Sequence, residues 1–209
     1  EDLTKGPKGI SAFILEKDTP GLTLAKHCAA MGLKGHRAYD LVFENMRAPA
    51  GNRIGKTGEG LKLALKVLSK TRISLAFGFV GLARAALDAA VAFAKERDLG
   101  GEKLADKQNC QFALAELATR IDAARLLAYR AAVLSDRTDS HRKETSMAKY
   151  FAGDTLIAAV DLANRIYGGY GSDVDYPVER YLRDAYTWIA AQGTAEIQKL
   201  TIAREILKG

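Results

Sequence analysis

From Gly60 to Arg97 the chain contains no proline, and only two interior glycines, Gly78 and Gly81, weaken its order. Leu61, Leu65, Leu68, Leu75, Phe79 and Leu82 recur at steps of three, four or seven, with Arg72 interrupting the stripe. That period is the helical one, because residues three and four apart share a helix face. The spacing predicts one helix over about 60–97, roughly 55 Å long at 1.5 Å per residue. A stripe of that length must be covered by other long helices, so a bundle is the natural solution.

The partners follow along the chain. After the Leu99-Gly100-Gly101 break, a second stripe runs through Cys110, Leu114, Leu117, Ile121, Ala124, Ala128 and Ala131. A third helix is expected over Arg142–Tyr167, stopped by Gly168, Gly169 and Gly171, and two shorter ones over 177–189 and 194–207. Before about Ala50 the pattern is strand-like. Ile10–Leu15 and Leu41–Phe43 are short apolar runs bounded by Thr19-Pro20-Gly21 and by Arg47-Ala48-Pro49. Two or three short strands cannot stand alone, because their faces and edges need more sheet, so further sheet is expected upstream of Glu1. The expectation is therefore a mainly α chain, an antiparallel four-helix-type bundle at 53–209, preceded at 1–52 by the end of an antiparallel β-domain.

Composition narrows the function classes. The net charge of +6 comes from lysines and arginines spread along the chain, so a nucleic-acid footprint is poorly supported, while a polyanionic ligand remains compatible. Two cysteines, Cys28 and Cys110, are too few for a disulfide framework. A reducing compartment is expected: the cytoplasm, or the mitochondrial matrix in a eukaryote. No uncharged apolar run reaches the ~18 residues of a membrane span. His27, His36 and His141 stand apart, which argues against a metal centre, and no serine has a His–acid pattern beside it.

Several strings, in order over essentially the whole chain, resemble acyl-CoA dehydrogenases. They begin with Gly9-Ile10-Ser11-Ala12-Phe13-Ile14, Pro20-Gly21, Met31-Gly32-Leu33-Lys34-Gly35 and Leu41-Val42-Phe43-Glu44-Asn45. Next come Gly55 and Gly58-Glu59-Gly60, Ala94-Lys95-Glu96-Arg97 with Gly101 and Gln108, and Met147-Ala148-Lys149. Tyr167-Gly168-Gly169-Tyr170-Gly171, Tyr176-Pro177-Val178-Glu179-Arg180, Arg183-Asp184-Ala185 and Gly193-Thr194-Ala195-Glu196-Ile197-Gln198 complete the series. Each string alone is weak; their order and spacing carry the resemblance. It implies the C-terminal half of a FAD-dependent enzyme acting on the CH–CH group of an acyl-CoA thioester. It also implies assembly as a homo-dimer or homo-tetramer, and delivery of electrons to an electron-transfer flavoprotein or similar acceptor.

The resemblance also assigns residues. Arg97 faces the FAD diphosphate, Gln108 lies close by, Gly168 and Gly169 allow close backbone approach, and Thr194 sits on the flavin side near Glu196. Guanidinium forks suit phosphate oxygens, and glycine removes the side chain that would block approach. Two positions depart from the family pattern: Gly100 replaces an aromatic wall, and Arg165 adds a positive charge that could reach the diphosphate. Ser69 and Arg72 would line the thioester's path.

The largest departure concerns the base. Removing an α-proton from a thioester needs a positioned carboxylate. The family usually keeps one directly before Gly-Thr, where this chain has Gln192. A branch keeps it in the long helix before an arginine, where this chain has Thr71-Arg72. An amide can donate a hydrogen bond but accepts no proton at useful pH. Three routes stay open. Glu196, or an acid upstream, serves as substitute base; the reaction on the acyl-CoA is another one, such as a reduction or elimination; or the chain is a non-catalytic partner subunit.

Overall fold

The computed structural model describes residues 3–208. By compactness they form two units, one comprising residues up to Ala30 with Lys34–Ser69, the other Met31–Leu33 with the chain from Lys70 onward.

The first unit holds two small antiparallel ribbons. β1 (Ala12–Phe13) is paired with β4 (Arg53–Ile54), and β2 (Leu22–Cys28) with β3 (Ala38–Phe43). The register sets Leu22 against Phe43 and Cys28 against Ala38, with an irregularity between Leu24 and His27. The turn expected at Thr19-Pro20-Gly21 is present, with the Leu22 amide donating to the Thr19 carbonyl at 3.0 Å. Gly21, at φ +85°, leaves no room for a side chain, because a Cβ there would sit 2.3 Å from the Glu44 carbonyl oxygen. Two strand expectations need correction. The Ile10–Leu15 run pairs only at Ala12–Phe13, and β2 was not foreseen at all. Leu22–Cys28 alternates apolar and polar only over Leu22-Thr23-Leu24, too short a run to read as a strand, and Leu41 and Phe43 of β3 are half exposed.

α1 (Gly60–Glu96) begins in the first unit and runs on into the second, where it joins α2 (Gln108–Arg137), α3 (Arg142–Tyr167), α4 (Pro177–Trp188) and α5 (Ala195–Ile206). These bounds agree with the expected helices to within a few residues. α3 is the central helix and packs against α2, α4 and α5. α1 joins them through aromatic contacts: Phe77 with Tyr129 of α2, Phe79 edge-on to Trp188 of α4, and Phe93 stacked on Tyr167 of α3 at 4.1 Å.

The core departs from the leucine stripe in one respect. Leu65 is 48% exposed. The buried face of α1 runs through Ile73, Leu75, Ala76, Phe79, Val80, Ala83, Ala86, Ala90 and Ala94, so Leu75 and Phe79 are the stripe members it keeps. Alanines at Ala124, Ala128 and Ala131 of α2 and at Ala148, Ala152, Ala159 and Ala163 of α3 are equally closed off. Small side chains at these positions let the axes approach closely, so the packed surface is set by alanine more than by leucine. By length and apolarity α1 alone would suffice to cross a membrane, with a window of mean hydropathy 1.6. Its Phe79, Ala76, Ala83, Ala86 and Ala90 are nonetheless turned into the bundle.

Candidate functional site

Two places in the second unit gather the residues singled out by sequence. The first lies where the end of α1, the start of α2 and the end of α3 meet. A cavity of about 660 Å³ there is lined by Phe93, Arg97, Lys107, Arg165, Gly168, Gly169 and Tyr170, among others. α3 ends because Gly168 adopts φ +59°, and its amide turns back to the carbonyls of Asn164 and Arg165. A Cβ on Gly168 or Gly169 would meet nothing within 4 Å, so the backbone here borders open space.

Three cationic side chains border this space. The Arg97 guanidinium lies 5.5 Å from the centre of the Tyr170 ring. Arg165 pairs with Asp161 on the exposed side of α3, at 3.0 Å. Lys107, just before α2, is ion-paired with Glu102. Tyr170 belongs to a cluster with Phe93, Tyr167 and Tyr176. Of the residues expected to face a diphosphate, the structure brings Arg97, Arg165, Gly168 and Gly169 together. Gln108, the exposed first residue of α2, is not part of this lining; its neighbours Lys107 and Asn109 are. A Cβ on Gly100, at φ +72°, would meet nothing within 4 Å, and Leu99 and Tyr170 are among the apolar residues of the lining.

The second place is the turn between α4 and α5. Gln192 takes φ +59° and Gly193 φ +103°, two successive residues in the left-handed region. For glutamine that conformation carries a steric cost, so its surroundings must hold it. They do so through the carbonyls. Arg72 Nε donates to the Gln192 carbonyl at 2.9 Å, and Lys149 Nζ donates to the carbonyls of Ile189 and Gly193 at 2.9 and 2.7 Å. The Gln192 side chain faces α1, where its amide oxygen accepts from the Thr71 hydroxyl at 3.2 Å. Thr71 and Gln192, the two positions at which the resemblance would set a base, are thus hydrogen-bonded to each other, and neither is a carboxylate.

The charges here are positive. Burial, and then the charge of Arg142, lowers the pKa of the Arg72 guanidinium. Burial, and then Arg72, pushes the Lys149 ammonium down to about 8, with Glu196 pulling it upward. Glu196, the substitute named from the sequence, lies in the first turn of α5. Hydrogen bonds from its own backbone amide and from the Thr194 hydroxyl hold its carboxyl below the usual carboxylate range, as suits an acid in the first turn of α5. Thr194 is the residue from which α5 springs, and both it and Glu196 are exposed. Neither joins Arg97 and Arg165 at the first cavity. Ser69 lies one turn of α1 before Arg72.

Sequence reasoning overlooked Lys149 and treated Thr71 only as a missing acid. Lys149 did leave a signal. It falls in the register of Thr145, Ala152 and Leu156, the buried face of α3, where an unpaired lysine has no packing reason to be. Among the described residues, no group of three or more His, Cys, Asp or Glu side chains is arranged to hold a metal ion.

A family model for the acyl-CoA dehydrogenase C-terminal domain matches residues 58–207. An acyl-CoA dehydrogenase of Bacillus subtilis (strain 168) is 46% identical over 205 residues, which cover 98% of this chain and 54% of that protein. Subunit CarC of the caffeyl-CoA reductase–Etf complex of Acetobacterium woodii is 38% identical over 207 residues, covering 99% of this chain and 55% of its own. The butyryl-CoA dehydrogenase structure from Megasphaera elsdenii superposes with a TM-score of 0.94 at 37% identity, covering 99% of this chain and 54% of that one. The chain spans about half the length of the curated relatives it matches. With its bundle, its glycine-ended α3 and its Gln-Gly-Thr turn all falling within that match, the chain belongs to the acyl-CoA dehydrogenase family.

Proposed function

We propose that this chain is the C-terminal half of a FAD-dependent oxidoreductase acting on the CH–CH group of an acyl-CoA thioester, with Gln192 in the position of the family's base. The observation that carries this reading is the meeting of Thr71, Arg72 and Gln192, which come from distant parts of the sequence. They form one hydrogen-bonded polar cluster, and Thr71 and Gln192 are the positions at which the resemblance sets the family's proton acceptor.

The cavity beside Gly168 suits a diphosphate. Arg97, just past α1, Lys107, just before α2, and Arg165, at the end of α3, bring positive charge to its lining, and the glycines leave backbone open to close approach. Arg97 and Arg165 would hold the phosphates of FAD, with Tyr170 as an apolar wall and Gln108 at the margin. FAD supplies a two-electron acceptor or donor for hydride when bound. Thr194 and Glu196 would stand toward the flavin, Glu196 ionised and helping to set the start of α5. Ser69 and Arg72 would border the thioester.

Gln192 cannot remove an α-proton, and Thr71 cannot either at useful pH. What the pair can do is orient. The Gln192 oxygen accepts from Thr71, and its amide nitrogen would be the group to donate to a carbonyl oxygen. This favours, as a second reading, a reaction on the acyl-CoA in which this chain's residues take no proton, such as reduction of an unsaturated thioester, or a non-catalytic subunit that retains the cofactor. CarC, a relative named for a CoA-thioester reductase complex with Etf, supports both that possibility and an electron-transfer flavoprotein as partner. Assembly as a homo-dimer or homo-tetramer belongs to the same proposal.

The test is spectroscopic. Purified full-length protein is expected to carry flavin absorbance, and addition of a CoA thioester without oxygen is expected to perturb that spectrum. Absence of flavin under every condition, including refolding with added FAD, would reject the flavoprotein reading.

A further inference from the structure

The turn that carries Gln192 is held by a group that the reading above gives no task. Lys149 lies about two turns into α3 and is only 1% exposed. Burying an ammonium costs far more than burying a methionine of similar length, so packing alone does not account for it. Its Nζ spans the two ends of the turn, donating to the carbonyl of Ile189, the first residue past α4, and to that of Gly193, the residue after Gln192. Phe79 presents its ring to the same ammonium, 5.7 Å from the ring centre.

Two further ties act on the turn. Arg72 Nε takes the Gln192 carbonyl, and Gln198 Nε2, from a fully buried side chain on α5, reaches the Gly193 carbonyl at 3.4 Å. The carbonyls of residues 189, 192 and 193 are thus all committed to donors from other helices. Lys149 is the donor that bridges two of them. With the carbonyls of Ile189 and Gly193 held on either side of it and its own carbonyl taken by Arg72, the left-handed backbone of Gln192 has little freedom, and its side chain reaches Thr71 from there.

We propose that Lys149 is a positioning residue, its ammonium holding the Ile189 and Gly193 carbonyls so that Gln192 is presented toward Thr71. The geometry of the turn is independent of any reaction; the functional consequence rests on the reading of Gln192 given above.

The experiment uses full-length protein and two variants, Lys149→Met and Lys149→Gln. Hydrogen exchange read by mass spectrometry reports on peptides covering 189–195, and on α1 and α3 as internal references. In Lys149→Met the turn is expected to exchange about tenfold faster or more, the size of effect that losing a charged donor to two carbonyls implies, while α1 and α3 keep their protection. Lys149→Gln, which retains an N–H donor, is expected to recover part of the difference. In a Gln192→Glu background, Lys149→Met is expected to lower the limiting rate of thioester-driven flavin reduction about tenfold and to change half-saturation much less.

A folded Lys149→Met protein whose 189–195 segment exchanges as in the parent overturns the proposal. So does acceleration spread equally through α3, or failure of both variants to fold, because each makes Lys149 a general structural element. If flavin is not reduced in either background, the exchange result still decides the positioning role, and the failure belongs to the functional reading.

Discussion

Replacing Gly32 with alanine would drive a methyl group into the backbone of α4. A Cβ on Gly32 would lie 2.3 Å from the Arg183 carbonyl oxygen, 2.4 Å from its carbon and 2.6 Å from the Asp184 nitrogen. Helix backbone cannot yield by an ångström without losing its own hydrogen bonds, so the Met31–Leu33 segment must lift away instead. Three contacts go with it. The Gly32 amide donates to Thr187 Oγ1 at 2.9 Å, the Leu33 amide to Asp184 Oδ1 at 2.5 Å, and Arg183 Nη1 to the Met31 carbonyl at 2.9 Å. One is neutral and two involve a charged group, and part of their value is returned by water. The expected cost is about 2–4 kcal/mol. For a domain of this size that lowers the melting temperature by about 5–15 °C. Gly35, in the same Met-Gly-Leu-Lys-Gly string, is the control, because a Cβ there meets nothing within 4 Å. Gly35→Ala is expected to stay within about 0.5 kcal/mol of the parent. Thermal and urea unfolding of both variants, followed by far-UV circular dichroism, reads the difference. Equal midpoints for the two, or Gly32→Ala unfolding with the parent, would refute the packing argument.

Other consequences can be checked alongside. The folded Lys149 holds its proton less tightly than an unfolded lysine, its pKa standing at about 8 against an ordinary 10.5. The buried charge therefore opposes folding below pH 8, and that cost is relieved as the pH rises between the two values. Relative to Lys149→Met, the parent should gain about 2 kcal/mol of stability from pH 7 to 9.5; a constant difference in urea midpoints would refute this. Arg97→Glu combined with Arg165→Glu is expected to release flavin during dialysis while the circular dichroism spectrum is kept. Retention of cofactor at the parent's level would remove both residues from the diphosphate.

Much of the architecture could be read from the sequence because helices announce themselves by period and by glycine. α3 was bounded at Arg142 and Tyr167 by its stripe and by the glycines that follow, since Gly168 supplies the left-handed residue that ends it. β2 could not be read in this way. Its string alternates apolar and polar for only three residues, Leu22-Thr23-Leu24, and its pairing with β3 is irregular between Leu24 and His27. The site was legible to the extent that it rests on side-chain type. Arg97, Arg165, Gly168 and Gly169 could be named, and they do share one cavity. What stayed hidden is the work of carbonyl groups. The left-handed turn at Gln192, the reach of Lys149 across from α3 and the bond from Thr71 depend on backbone direction, which no residue string displays. Leu65 and the alanines of α1 make the same point for the core. Periodicity marks a face, but only close helix packing decides that alanine fills it.

The account turns on the absence of a proton acceptor beside Thr71, and Gln192→Glu addresses that most directly. In this variant a carboxylate would face Thr71, on a turn whose carbonyls are held by the cations Arg72 and Lys149, and positive charge nearby favours its ionised form. Anaerobic stopped-flow measurement of flavin bleaching by a saturated acyl-CoA, in full-length protein, should show the parent reducing slowly and Gln192→Glu faster by about a hundredfold or more, the usual contribution of a positioned base. A parent that already bleaches as fast as Gln192→Glu, with thioester bound in both, would contradict the account, because the proton would then be leaving to some other residue.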